Sequence, residues 1–407
     1  MLEVRLKNSR GILAVIGSAG AIFWPGAFIF GYPGVMGSFW QQRFGVGRGE
    51  IGNTLFFVLA AVGLFMFFVG RWQERWGARK LILCGALLCG LNTFLIASAD
   101  RLGLLYLWAF LNGTASAFIY LPGLTTVQRW FPARRGLVSG IVNLVFGLSA
   151  AVMAPLFGSL LQSLGYGPMN RLLGWTALIT GLAFALLAEL PERVDKRSGR
   201  ETTPGPRPSG AMGPAVSVRE ALRSRPFWFL WATWALMGAA GIAMVFLAVP
   251  FGISRGLPPA SAVLLLTAFN LTNGGSRLIM GYFSDRFSRT AGMSMTFLAA
   301  GSAYLLLPHV QAQTATVLAA AVIGFAFGTL FAVSAPLAVD CFGLTHFGAI
   351  FGLVFTAYGF LAGLLGPSLS GYLLEATGAD FRIVFSYLGL FCLIASFLVR
   401  RVRPLLP

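Results

Sequence analysis

SAVLLLTAFNLTNGGSRLIMGYFSDRFSRT, residues 261–290, decides how the chain must be read. It predicts a membrane-spanning helix that carries Asn270, Asn273 and Arg277 and ends in a charged turn. On a helix these three lie at i, i+3 and i+7, so they share one face. Arg277 stands nine residues before Arg286, the next basic residue. At about 1.5 Å per residue it is about 13 Å deep, near the middle of a core about 30 Å thick. A cation there costs at least about 2.5–3.5 kcal/mol and is seldom kept without a partner or a pathway. Snorkelling or a structural ion pair are the alternatives. No acid lies in the interior of a span to make such a pair, so the expected partner is an anionic substrate.

Composition agrees with a membrane protein. Of 407 residues, 57% are hydrophobic and 11% charged, with mean hydropathy +0.78. A soluble chain of this length lacks the interior for so much apolar surface, so lipid must solvate most of it. The net charge of +17 does not point to nucleic acid, because the basic residues fall in short clusters between apolar runs. The four cysteines (Cys84, Cys89, Cys341, Cys392) have neither disulfide nor metal spacing and read as small core residues. Two histidines, His309 and His346, cannot make a metal site alone.

In chain order, MLEVRLKNSR is a basic flank, and the apolar run from Gly11 to about residue 40 is too long for a signal core. It reads as a first span interrupted by Pro25 and Pro33. Eleven further spans are expected at 51–70, 81–99, 104–128, 136–163, 172–190, 226–253, 259–283, 291–308, 313–340, 347–374 and 382–399. Residues 191–225, rich in Pro, Gly, Ser and Arg, read as a linker. Within it Ser217 is placed to cap a short helix ending near Ser224. The organisation is therefore a bundle at 1–190, a cytoplasmic linker at 191–225 and a second bundle at 226–407. Of the 30 Lys and Arg, 23 fall in the N-terminus and alternate connections. Only Arg43, Arg48, Arg101, Arg171, Arg255 and Arg382 fall in the others. That asymmetry predicts both termini in the cytoplasm.

The halves repeat. Gly136, Gly140, Gly147 and Pro155 recur, at one offset, as Gly348, Gly352, Gly359 and Pro367. The turn after the second span, Gly70-RWQERWGARK, recurs after the eighth as Gly281-YFSDRFSR. Four matches at one spacing signal two structurally related halves.

The turn at 70–80, G-x-x-x-E-R-x-G-x-R-K, resembles the inner-loop signature of the major facilitator superfamily, with Glu74 where Asp is usual. This implies an all-α fold of twelve membrane helices in two pseudo-symmetric six-helix bundles, working by alternating access. Within the superfamily, Asn273-x-x-x-Arg277, RWFPARRGLVSGIVN (129–143) and FTAYGFLAGLLGP (355–367) resemble the monocarboxylate transporter family and its oxalate/formate exchanger relatives. The family implies a substrate-pairing arginine at Arg277 and proton coupling. Three departures stand out. Animal members have Asp where Asn273 lies and a first-span lysine near the position of Gly34. The oxalate exchanger has a lysine where Tyr358 lies.

A guanidinium fork fits one carboxylate bidentately, which suits a monoanion such as lactate or pyruvate. Depth counting puts Tyr120, Asn143 and Tyr358 near the level of Arg277, and the repeat offset puts Phe331 where Tyr120 lies in the other half. The expected site is Arg277 on the carboxylate, Tyr120 or Tyr358 on a hydroxyl or keto oxygen, and Asn143, Asn270 and Asn273 in weaker contacts. Phe28, Phe331 and Phe360 would wall it. The expected function is proton-coupled symport of small monocarboxylates in the bacterial inner membrane, with carboxylate exchange as the alternative. A drug exporter would carry acids in the cavity. An enzyme would need a metal cluster or a Ser/His/Asp set. No cofactor is expected, lipid and the substrate are the expected partners, and the transporter is expected to act as a monomer.

Overall fold

The computed structural model describes residues 2–131, 134–188, 216–284, 286, 288–343 and 346–403. The described residues form helices and connections only. They run α1 (Leu2–Phe30), α2 (Tyr32–Phe44), α3 (Arg48–Trp76), α4 (Ala78–Ala97), α5 (Leu102–Trp130), α6 (Arg135–Leu164) and α7 (Tyr166–Leu187). After the linker come α8 (Val218–Arg223), α9 (Arg225–Ser254), α10 (Pro259–Phe283), α11 (Arg289–Leu306), α12 (Gln313–Phe342), α13 (Phe347–Ala376) and α14 (Phe381–Arg400). A lipid-exposed backbone must satisfy all its hydrogen bonds, which leaves helices or closed barrels, and apolar runs of about 20 residues and more select helices.

Among the described residues ten helices are long and apolar enough to cross a membrane. With α10 and α11 they make up the twelve expected spans. The asparagines and arginine of α10, and the hydroxyl and glycine content of α11, lower their apolarity. Both are nonetheless built into the bundle, α10 against α6 and α12, and α11 against α12 and α14.

The first span differs from expectation in detail. Pro25 lies inside α1 without breaking it, and the interruption is at Gly31 between α1 and α2. Pro33, in the first turn of α2, has no N–H to give to the preceding turn, so the backbone loosens there. The sixth span starts at Tyr166, ahead of the expected 172. Gly165 at φ +76° turns the chain sharply enough to begin it at once. Residues 191–215 of the linker lie outside the described residues. Its end is as expected: Ser217 accepts from the Glu220 N–H, and the Glu220 carboxylate accepts from the Ser217 N–H in return. Cys89, Cys341 and Cys392 are buried, whereas Cys84 is exposed on α4 and is not a core residue.

α1 and α3–α7 pack chiefly on one another, as do α9–α14. The two groups meet where α6 lies along α10, α3 along α13 and α2 along α9. The first two contacts are made backbone to backbone. A methyl group added at Gly147 would lie 2.6 Å from the Gly274 Cα, and one at Gly63 would lie 2.9 Å from the Gly359 Cα. Gly147 and Gly359 are repeat partners, and the same spacing less one residue relates Gly63 to Gly274. The duplication therefore produced two equivalent glycine contacts, one on each flank of the centre.

Near residues 45–53 the groups are also tied by side chains. The Glu375 carboxylate accepts from the Gly49 N–H (2.8 Å), and Asn53 donates to the Tyr372 hydroxyl (3.0 Å). A carboxylate at the first turn of α3 is well placed, because the free amides and the helix dipole favour negative charge.

Candidate functional site

Arg277 sits where α10 faces α6, and it is 1% exposed. Its partners are neutral. Nε and Nη2 donate to the Asn273 Oδ1 one turn earlier (3.3 and 3.2 Å), and Nη1 donates to the Asn143 Oδ1 of α6 (3.4 Å). These are long contacts, near the limit of a useful hydrogen bond. The guanidinium carbon also lies 4.3 Å from the ring centre of Phe331, 5.4 Å from Phe146 and 5.7 Å from Phe30. Ring faces carry partial negative charge and hold a desolvated cation by about 2 kcal/mol. Amide oxygens and aromatic faces moderate the buried charge without neutralising it.

A second layer fixes Asn143. The Tyr120 hydroxyl of α5 donates to the same Asn143 Oδ1 (2.8 Å), and Asn143 Nδ2 donates to the Ser139 carbonyl (3.0 Å). That oxygen thus faces Arg277 with its orientation set from behind. Tyr120 reaches the cation through Asn143.

Beside the guanidinium is a small cavity. Phe30, Phe146 and Phe331 line it as well as lying near Arg277, together with the polar residues Tyr120, Tyr358 and Ser116. Its volume is about 20 Å³, room for about one water. Tyr358, 3% exposed on α13, has a buried hydroxyl with no hydrogen-bond partner. Asn273 Nδ2 is likewise buried and unpartnered. Leaving such atoms unsatisfied costs about 1–3 kcal/mol each, so both are available to an oxygen-rich guest. Tyr358 owes its position to local backbone geometry. Ala357–Ala362 and Leu364–Ser368 widen to π-helical turns, where Gly359, Gly363 and Gly366 are crowded against α3 and α9 and Pro367 lacks an N–H. The Tyr387 hydroxyl bonds the Leu365 and Gly366 carbonyls (3.3 Å each).

Of the residues expected from sequence, Arg277, Asn273, Asn143, Tyr120, Tyr358 and Phe331 come together here. Three do not. Asn270 is buried on the same helix face, but its Nδ2 donates to the Phe30 and Leu266 carbonyls (3.0 Å each). It serves the carbonyl left over by the break at Gly31, about 10 Å along the helix from Arg277. Phe28 packs inside the first bundle against Tyr32, Trp108 and Phe157. Phe360 is 42% exposed on the outside of α13. In both cases a neighbour two residues away, Phe30 or Tyr358, takes the cavity side: two residues turn the α-helix by about 200° at Phe28 and Phe30, and the π-helical turns set the faces of Tyr358 and Phe360. Phe30 and Phe146 were missed. Phe146 is one turn from Asn143, and that spacing is the only sign it gave. Gly34, near which the family's first-span lysine would stand, touches α9: a side-chain carbon there would lie 2.2 Å from the Val245 carbonyl oxygen. Charged residues elsewhere stay at helix ends, as in the pair Arg289–Asp340.

The Major Facilitator Superfamily model matches residues 19–265 and again 242–407. The oxalate:formate antiporter of Oxalobacter formigenes is 28% identical over 294 residues, 71% of this chain and 67% of that protein. Human monocarboxylate transporter 11 is 30% identical over 355 residues, 82% of this chain and 71% of the relative. Human monocarboxylate transporter 2 is 24% identical over 344 residues, covering 79% and 71%. The duplicated helical halves, the buried arginine between them and these matches together make the chain a multi-pass membrane transporter, not an enzyme, and a member of the monocarboxylate transporter family of the major facilitator superfamily.

Proposed function

We propose that this transporter carries small monocarboxylates of the lactate and pyruvate type across the bacterial inner membrane, by alternating access of the halves 1–190 and 226–407. The observation that carries the proposal is Arg277, buried between the halves with only neutral oxygens and ring faces around it. One carboxylate would take the fork, and the Tyr358 hydroxyl and Asn273 Nδ2 would meet a hydroxyl or keto oxygen. A relative named as a monocarboxylate transporter and another named as an oxalate:formate antiporter support the substrate class.

Coupling follows from desolvation. A guanidinium cannot shed its proton, so closing the cavity around it is costly until a carboxylate pairs with it. Binding and closure are then linked. A volume of about 20 Å³ does not admit a three-carbon acid, so the halves must part at one end to load. In the orientation expected from the Lys and Arg asymmetry, with both termini cytoplasmic, the Glu375 and Tyr372 ties would lie at the outer end and hold it closed. No acid lines the cavity, so a proton that accompanies the substrate would travel on the substrate itself or through a network of tyrosines and water. Uptake of labelled lactate into liposomes, with and without an inward proton gradient and internal counter-substrate, tests this. Uptake driven by the gradient supports symport; uptake only with counter-substrate supports exchange; no uptake of any monocarboxylate overturns the proposal.

Two substitutions probe the arrangement. Asn273→Asp would place a carboxylate where Oδ1 now accepts from Nε and Nη2, so at neutral pH it would compete with substrate for the fork. The expected result is about tenfold weaker lactate competition near pH 7, recovering as the medium is acidified and the aspartate is protonated. A pH profile superimposable on the parent's would say that this face of α10 does not bear on binding. At the flank, Gly359→Val adds side-chain carbons where there is no space between α13 and α3. The two halves slide on these contacts, so transport is expected to fall about tenfold with substrate affinity much less affected. Full transport by this variant would show that α3 and α13 separate completely during the cycle.

A further inference from the structure

The carboxylate end of the site lies on α10, in the second half. The first half contributes to the cavity through α3. Leu59, Val62 and Met66 line the cavity from there. Their spacing, i, i+3 and i+7, puts them in one row on one helix face, and Leu59 and Val62 are buried. Gly63, between them, is the residue in backbone contact with Gly359, the neighbour of Tyr358. The row is therefore held at a fixed distance from α13, because no flexible side chain separates the two backbones there. The polar residues of the cavity come from α5 and α13. α3 contributes only apolar side chains.

Resting on the reading of Arg277 as the carboxylate site, we infer that Leu59, Val62 and Met66 form a hydrocarbon wall that sets how long a substrate's tail can be, and so restrict this transporter to short-chain monocarboxylates. A monocarboxylate paired with Arg277 extends its tail away from α10, toward this row. A tail that is too long must displace a wall pinned by the Gly63–Gly359 contact. A tail that is too short leaves it incompletely covered. Discrimination of one methylene in such a pocket is worth about 10–200-fold.

The test is competition against labelled lactate in liposomes, by formate, acetate, propionate, butyrate and hexanoate, for the parent and four variants. Val62→Ala and Leu59→Ala remove carbons from the wall. Each should shift the best competitor by one or two carbons toward longer acids, with butyrate gaining about tenfold on acetate. Leu64→Ala, on the exposed face of α3, should leave the order of competitors as in the parent. Val62→Phe should shift it the other way, toward formate and acetate. If the straight-chain acids compete with the parent but their order is the same in both alanine variants, the wall does not set tail length and the inference fails. If none of them competes although the parent takes up labelled lactate, the inference fails; if the parent takes up no labelled lactate, it is the assignment of monocarboxylates that fails. Two positions on one face keep the test decisive should either variant not fold, and a parent-like melting profile identifies those that do.

Discussion

Replacing Arg277 by alanine is expected to abolish carboxylate transport in liposomes, while the protein still inserts and elutes as a single species. Among the described residues the guanidinium is the one charge beside the cavity, and three of its nitrogens already point at side-chain oxygens. A carboxylate that lost this partner would be left uncompensated in a desolvated site. The loss should be about 2–5 kcal/mol of binding, or about 30-fold to more than a thousandfold in affinity. Arg277→Lys should fail nearly as badly. An ammonium retains the charge but has neither the flat face that lies against Phe331 nor the fork that matches a carboxylate. Folding should survive, since alanine removes a buried charge together with its contacts. Uptake of labelled lactate by the alanine variant at near the parent's rate would remove Arg277 from the site.

Tyr358→Lys is expected to turn selectivity from monocarboxylates toward dicarboxylates. Tyr358 is buried among Trp234, Phe331 and Phe355, with ring centres 5.5–5.7 Å away, and its hydroxyl has no partner. With Arg277 alone, a dianion such as oxalate brings one unpaired charge into a space of low dielectric, a penalty of several kcal/mol. A second cation would neutralise it, and lactate would then leave the lysine unpaired and be disfavoured in turn. A change of about 3 kcal/mol in relative affinity exceeds a hundredfold. Oxalate titrated against labelled lactate uptake reads it directly. If oxalate competes no better with the variant than with the parent, Tyr358 does not face the substrate and charge balance is not the basis of selectivity.

The charged and amide groups of the site were legible because they are rare in lipid-facing helices. Arg277 declares itself by depth alone, and Asn143 and Tyr120 follow by counting residues from the nearest basic end. Aromatic residues were not legible in this way. Phe28 and Phe30 differ by two positions in the apolar part of a helix of 29 residues, and nothing local says which faces inward. The answer depends on where the chain breaks, and the two prolines of the first span are not equivalent. Pro25 is absorbed within α1, whereas Pro33 ends it. The break then recruits Asn270 to the Phe30 carbonyl, so a residue on the right face of α10 serves the backbone of α1 and not the cavity. Phe360 was misplaced for want of the π-helical turns that orient Tyr358. The glycine contacts were half-visible. The repeat marks Gly147 and Gly359, but their partners Gly274 and Gly63 become meaningful only when the halves are in place.

The central claim is that one carboxylate pairs with one buried guanidinium, and the most direct test keeps the substrate's shape and removes its charge. Lactate and lactamide should be titrated against labelled lactate uptake by the unmodified transporter in liposomes. Lactamide has nearly the same outline, but it cannot neutralise Arg277 and presents two donors where the fork also donates. The account predicts that it competes at least a hundredfold less well than lactate. Equal competition by the two would mean that charge pairing at Arg277 does not govern recognition, and the account would be wrong at its centre.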